Sequence, residues 1–247
     1  MHAQILEGLR NDEFNVVYQP QMLADGVTMG SVEALVRWTA GDGPVPLNLF
    51  LAVAEQTGAI VDIGSMVLLR ACLDTLNWPG LRVAVNVSAM QLRSPHFAET
   101  IEHIVNAAGL PFDRLELELV ESTFLENFDI AERNLSRLRQ LGCTIALDDF
   151  GTGFSSLAYL CKLPLDKVKI DRSFIANVDK VQSAAIVQAM VALARALGLK
   201  VAAEGVETVE QQRFVKACGV HFMQGFLFSR PVAAEEITRM RKAAVAA

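Results

Sequence analysis

The sequence predicts an α/β chain folded as a (β/α)8, TIM-like barrel whose first strand runs antiparallel to the second. Three observations carry that expectation. Strand-like runs alternate with amphipathic helical runs along the whole chain, and there are eight of each. The first two strands are joined by a turn too short for a helical crossover. Finally, 247 residues suit one such barrel, and no linker, low-complexity tract, short repeat or composition shift divides residues 1–247 into two domains.

The strands are expected at Phe14–Gln21, Gly30–Trp38, Arg82–Ser88, Leu115–Val120, Thr144–Asp148, Lys167–Ile170, Lys200–Ala203 and Phe222–Gly225. Helices are expected near 49–57, 62–76, 97–108, 127–141, 155–161, 182–197, 207–217 and 234–243. Met22 to Met29 contains Ala24-Asp25-Gly26, which is hairpin chemistry. The most apolar stretch, Ala184 to Ala203, is interrupted by Gln188, Arg195 and Lys200, so it reads as a buried helix followed by a strand and not as a membrane span.

Charge and composition exclude several function classes. A net charge of −6 with no Lys/Arg run argues against a nucleic-acid polymer as partner. Glu7, Arg10, Asp12 and Glu13 break any apolar leader, and cysteines 72, 143, 161 and 218 form no CxxC, so a cytoplasmic chain with core thiols and no membrane insertion is expected. Histidines 2, 96, 103 and 221 form no ligand-spaced cluster, which leaves a histidine-based metallohydrolase or a Ser-His-Asp triad without support. "GTGFSS" (151–156) has no G-K-[ST] after it, so Gly151 and Gly153 are read as letting the chain turn.

The informative residues are polar ones inside strands or at their ends, where burial needs a compensating partner. They are Gln19, Glu33, Arg37, Asn86, Ser88, Glu118, Glu121, Asp148, Asp149, Lys169, Asp171, Glu204 and Gln224. Singly, each has a bland reading: Glu116 and Glu118 alternate with leucines as a solvated strand face would, Lys169 could snorkel, and Asn86 could form a turn. Together they place a polar group at nearly every strand end, and in a barrel those ends converge on one mouth. The adjacent pair Asp148 and Asp149 follows an apolar run. Alternation sends neighbours to opposite faces, so the two carboxylates converge only if the strand ends there, and something positive is needed between them, a basic side chain or a metal. The oxygen donors Glu33, Asn86, Glu118, Asp148 and Asp149 suit Mg²⁺ or Mn²⁺ and not Zn²⁺.

Eight segments together carry a resemblance. "YQP" (18–20), "EALVRW" (33–38), "VNVS" (85–88), "ELVES" (118–122), "DDFGTGFSS" (148–156), "KIDRSF" (169–174), "AEGVET" (203–208) and "QGFLFSRP" (224–231) occur in order across the chain. The ensemble resembles the EAL-domain cyclic-di-GMP phosphodiesterases, whose fold is a barrel with an antiparallel first strand. The resemblance implies hydrolysis of cyclic-di-GMP to linear pGpG with two divalent ions, Mg²⁺ or Mn²⁺. It implies that Glu33, Asn86, Glu118 and Asp148 hold one ion, with Asp148 bridging to a second held with Asp149. Lys169 and Glu204 would orient or deprotonate the attacking water, and Glu121 would pin the turn after Asp149. Gln19, Leu35, Arg37, Asp171 and Gln224 would contact the cyclic dinucleotide, Arg37 through phosphate.

Two departures stand out. Val120 occupies a position where the family usually has threonine, and the segment Ala176 to Ser183 is slightly short. The resemblance also implies a homodimer, here around Ser155–Cys161 and Asn177–Val187, and a chain that is stand-alone or cut from a longer regulator with sensor or GGDEF domains. The alternatives are a silent EAL domain that acts as a cyclic-di-GMP receptor or protein-interaction module, and a barrel enzyme acting on another phosphate ester. Silent relatives typically lose ligands or the catalytic lysine and glutamates; this sequence keeps them all.

Overall fold

In the computed structural model, which describes residues 1–41, 43–120, 127–152 and 162–246, eight strands close into a barrel. They are β1 (Phe14–Leu23), β2 (Met29–Ala40), β4 (Arg82–Val87), β5 (Leu115–Val120), β6 (Thr144–Phe150), β7 (Lys167–Ile170), β8 (Lys200–Ala203) and β9 (Phe222–Gln224). A short β3 (Gly43–Val45) hangs on the edge of β2. The strands from β2 round to β9 are parallel, and β1 is antiparallel to both of its neighbours, which closes the ring.

That inversion follows from the turn between β1 and β2. Asp25 accepts hydrogen bonds from the backbone N–H groups of Val27 and Thr28 at 2.8 and 2.9 Å, and Gly26 takes the left-handed conformation at φ 78°. A turn this tight reverses the chain at once.

The helices packed around the ring include α1 (His2–Arg10), α2 (Leu47–Thr57), α3 (Ile60–Leu76), α4 (Ala89–Leu92), α5 (Phe97–Ala108), α6 (Phe128–Leu141), α7 (Arg172–Ile175), α8 (Val181–Ala196), α9 (Val209–Cys218) and α10 (Ala234–Ala246). The expected helix at 155–161 lies outside the described residues. Helices α1, α4 and α7 were not anticipated; α4 and α7 are single turns, too short to show a period, each opened by a side-chain cap from Ser88 or Asp171. The 181–196 helix is not the buried one expected. It buries Val187, Met190, Val191 and Ala194 while Ala185, Ile186, Ala189 and Ala192 face solvent, since an alanine-rich surface costs little to expose.

The apolar core lies between the ring and the helices. Leu115, Leu117, Leu119, Ile145, Leu147, Val168, Ile170 and Val201 fill it from the strands' outer faces. The inner faces follow another rule, which sets up the site.

Candidate active site

Period-two alternation on β5, β6 and β7 sends Glu116 and Glu118, Ala146 and Asp148, and Lys167 and Lys169 inward. Ala84, Ala146 and Ala202 are buried but stand apart from the apolar core, leaving room for longer polar chains from the strands between them.

Lys169, fully buried, is the hub. Its Nζ lies 2.6 Å from Glu204 Oε1, 2.7 Å from Glu118 Oε2, 3.1 Å from Asp148 Oδ2 and 3.6 Å from Glu33 Oε2. Glu33 also accepts from Asn86 Nδ2 at 2.8 Å and from Gln224 Nε2 at 2.6 Å. Burial alone would lower the Lys169 ammonium, but Asp148, Glu118, Glu204 and Glu33 hold it well above the usual lysine value.

One positive charge faces four negative ones, and the shortfall appears in the carboxyls. Burial pushes Glu118 well above the usual carboxylate range; Lys169 pulls it back, and Glu33, Asp148 and Glu116 add repulsion. Burial likewise brings Glu204 to about 7 against the pull of Lys169, with Asp148 and Glu33 reinforcing the rise. Burial also pushes Glu33 up, yet Lys169 and the hydrogen bonds from Gln224 and Asn86 outweigh it, so Glu33 falls below the usual range.

The two aspartates do converge, by a route other than the strand ending. Strand β6 continues to Phe150 instead of stopping at Asp148, and its register with β7 shifts between Leu147 and Phe150. Asp149 has φ 54°, the left-handed region that an aspartate tolerates better than most residues. This irregularity turns Asp149 back toward the side of Asp148, so oxygens of Asp148, Asp149 and Glu204 lie within 4.8 Å of one another. Burial, then Asp148 and Asp171, raise the Asp149 carboxyl. Just beyond, Gly151 has φ 99°, a backbone conformation that strains any residue with a side chain, so the turn read from the sequence favours this glycine. Gly153 lies outside the described residues, as does Glu121.

The all-oxygen donor set and its deficit of positive charge fit divalent cations. Two donor groupings share Asp148: Glu33, Glu118 and Asp148 around Lys169, and Asp148, Asp149 and Glu204. The second includes Glu204, which the sequence reading had assigned to water activation alone.

The remaining site residues divide. Leu35 and Arg37 line a cleft of about 470 Å³ with Glu33, Asn86, Gln91 and Val120. Arg37 is half-buried, and among the described residues its guanidinium donates to the Val36 carbonyl alone, at 2.7 Å. Gln19 and Gln224 are buried behind Glu33: Gln224 Nε2 donates to Gln19 Oε1 at 3.1 Å, and Gln224 Oε1 is buried with no hydrogen-bond partner among the described residues. Asp171 caps α7 through the Ser173 N–H at 3.0 Å. A larger cleft of about 740 Å³, at the strands' N-terminal ends beside Arg82, Thr144 and Lys200, holds none of these groups.

Sequence reasoning missed a lower storey of buried polar residues: Gln21, Ser31, Glu116 and Lys167. The signal was present as polar pairs two residues apart, Gln19/Gln21, Glu116/Glu118 and Lys167/Lys169. Such doublets mark one face of each strand as polar, and burial shows that face to be the inner one.

An anionic, oxygen-lined mouth on a barrel with an inverted first strand defines a class, and the comparisons identify it. Residues 2–231 match the sequence model of the EAL domain, and the chain belongs to that family. The cyclic di-GMP phosphodiesterase NbdA of Pseudomonas aeruginosa is 43% identical over 250 residues, 97% of this chain and 32% of that protein. The cyclic di-GMP phosphodiesterase PdeR of Escherichia coli is 36% identical over 248 residues, 98% of this chain and 37% of that protein. A solved structure of the PaMucR phosphodiesterase in complex with c-di-GMP superposes with a TM-score of 0.89 at 40% identity, covering 95% of this chain and 99% of that one. The chain spans about a third of the length of the curated relatives it matches. No helix among the described residues is long and apolar enough to cross a membrane.

Proposed function

We propose that this chain hydrolyses cyclic-di-GMP to linear pGpG, using two divalent cations, Mg²⁺ or Mn²⁺. The observation that carries the reading is the convergence of Glu33, Glu118, Asp148 and Glu204 on one lysine at the barrel mouth, a site short of positive charge beside a cleft bearing Arg37. Relatives named as cyclic di-GMP phosphodiesterases support it.

In this reading Glu33, Asn86, Glu118, Asp148 and Asp149 hold the cations. Bound cations supply positive charge against a doubly anionic substrate and make the attacking water more acidic. Arg37 donates to a substrate phosphate, and Leu35, Gln19, Asp171 and Gln224 fix the dinucleotide. Water attacks phosphorus as one P–O bond of the ring breaks; Glu204, beside Asp148 and Asp149, takes the water's proton, and the freed sugar oxygen takes up a proton from solvent. Lys169 orients Glu204 through their 2.6 Å ion pair. Glu121 steadies the turn after Asp149.

We also read the chain as cytoplasmic and homodimeric. Free thiols at Cys72, Cys143 and Cys218 support the first. Exposed Val181 and Ile186 support the second, through the described part of the expected surface. The curated relatives' greater length supports a place within a longer regulator.

Calorimetric titration with cyclic-di-GMP in Ca²⁺ tests the substrate assignment. Arg37→Ala removes one charge-assisted hydrogen bond and should weaken affinity by roughly 10–150-fold. Unchanged affinity in that variant would show that Arg37 does not hold phosphate.

A further inference from the structure

Beneath the carboxylate cluster lies a second polar storey. Lys167 and Glu116 form an ion pair with each residue at most 3% exposed. Lys167 Nζ also donates to Gln21 Oε1 at 3.0 Å and stands 4.7 Å from the centroid of the Phe222 ring. Gln21 Oε1 accepts a second hydrogen bond, from Ser31 Oγ at 2.7 Å, across the β1–β2 register in which Gln21 faces Ser31.

With its oxygen held twice, the amide of Gln21 has one orientation, and that orientation aims Nε2 upward. Nε2 donates to Glu118 Oε1 at 3.1 Å. The other oxygen, Oε2, is taken by Lys169 at 2.7 Å. Both oxygens of a fully buried carboxylate are therefore fixed, one from the upper storey and one from the lower.

A buried ion pair is a costly thing to keep where apolar residues would pack as well. Lys167 and Glu116 sit below the site and touch none of the other proposed cation ligands. Among the described residues, their hydrogen-bonded route upward runs through Gln21. The arrangement matches a general rule for cation sites, in which residues behind the ligands orient them and matter nearly as much as the ligands do.

We propose that Gln21 is a positioning residue for Glu118, holding Oε1 of that carboxylate while the Lys167–Glu116 pair and the Ser31 hydroxyl hold the amide itself. The inference rests on the reading of Glu118 as a cation ligand. Gln21 itself touches neither cation nor substrate; freed of it, Glu118 would rotate about its remaining contact with Lys169 and bind cations more weakly.

The test is Mn²⁺ binding, followed by the electron paramagnetic resonance signal of free Mn²⁺ in titrations of the chain without substrate. Four proteins are compared: native, Glu118→Gln, Gln21→Met and Ser31→Ala, each checked for folding by thermal melting in chelator. Gln21→Met keeps the length of the side chain and removes its hydrogen bonds; it should weaken Mn²⁺ binding by roughly 10–100-fold. Ser31→Ala, which loosens the amide without removing it, should fall between that variant and native. A merely space-filling Gln21 would predict native affinity in Gln21→Met, and that result in a folded protein overturns the proposal. Should Gln21→Met fail to fold, native affinity in Ser31→Ala overturns it instead. If Glu118→Gln binds Mn²⁺ as native does, the reading of the site is wrong, and the inference about Gln21 falls with it.

Discussion

On β5, Leu115, Leu117 and Leu119 face the helices while Glu116 and Glu118 face the barrel axis, and all five are almost wholly buried. The outer face has no polar group to satisfy and gains by area alone; fully burying one leucine side chain contributes about 1.5–3 kcal/mol. The inner face holds ions that lose water on burial, and it is tolerable only because each finds a partner. A barrel of this fold is commonly filled by branched apolar side chains. Here the filling between β5 and β7 is glutamate against lysine. The difference teaches a division of labour: the shell of apolar contacts outside the ring holds the fold, and the ring's interior is given over to charge.

The comparison breaks most visibly with Glu204→Gln, an inner-face change at the mouth. It keeps the shape and removes the charge, so turnover should fall by roughly 10²–10⁴-fold while calorimetric affinity for cyclic-di-GMP in Ca²⁺ stays within a few-fold of native. Near-normal turnover would remove Glu204 as the base and direct attention to Asp149. The matching outer-face change is Leu117→Ala, which should cost about 2–5 kcal/mol in urea unfolding yet leave the turnover of folded molecules nearly unchanged. If Leu117→Ala altered turnover as strongly as stability, the two faces would not be separable.

The smallest effect concerns acid. His221 Nδ1 accepts the Val201 backbone N–H at 3.0 Å, and burial, with Arg195 and Lys200 nearby, lowers the ring's pKa below its usual value. A lowered pKa means that the unfolded chain takes up the proton first. This contribution to stability is therefore whole above about pH 6.5 and is lost as pH falls through the folded value. His221→Gln keeps an acceptor without titrating. The gap between its urea midpoint and that of native should stay flat above pH 7.5 and narrow or reverse toward pH 5. A gap that does not vary with pH would assign His221 no part in acid sensitivity.

Much of the barrel was legible because its outer rule is simple. Eight runs with strand spacing, amphipathic helices between them, and Asp25-Gly26 at one turn specified the ring and its inverted strand. Donor types at strand ends specified the mouth. What could not be read was how Asp148 and Asp149 meet: alternation predicted that the strand ends, whereas a register shift and a left-handed Asp149 carry it on to Phe150. Lys169 was expected beside the attacking water, and its place at the centre of four carboxylates depends on distances that spacing does not encode. The lower storey escaped because "LELELV" has the alternation of a solvated face, and period two cannot say which side is wet.

The central claim is that the charge deficit around Lys169 is filled by divalent cations that make the chain a phosphodiesterase. The direct measurement is incubation of the purified chain with cyclic-di-GMP in Mg²⁺, in Mn²⁺ and in excess chelator, with the products separated by chromatography. The account predicts linear pGpG with either cation and intact cyclic-di-GMP in chelator. Hydrolysis that continues at full rate in chelator, or cyclic-di-GMP left intact in both cations, would contradict it.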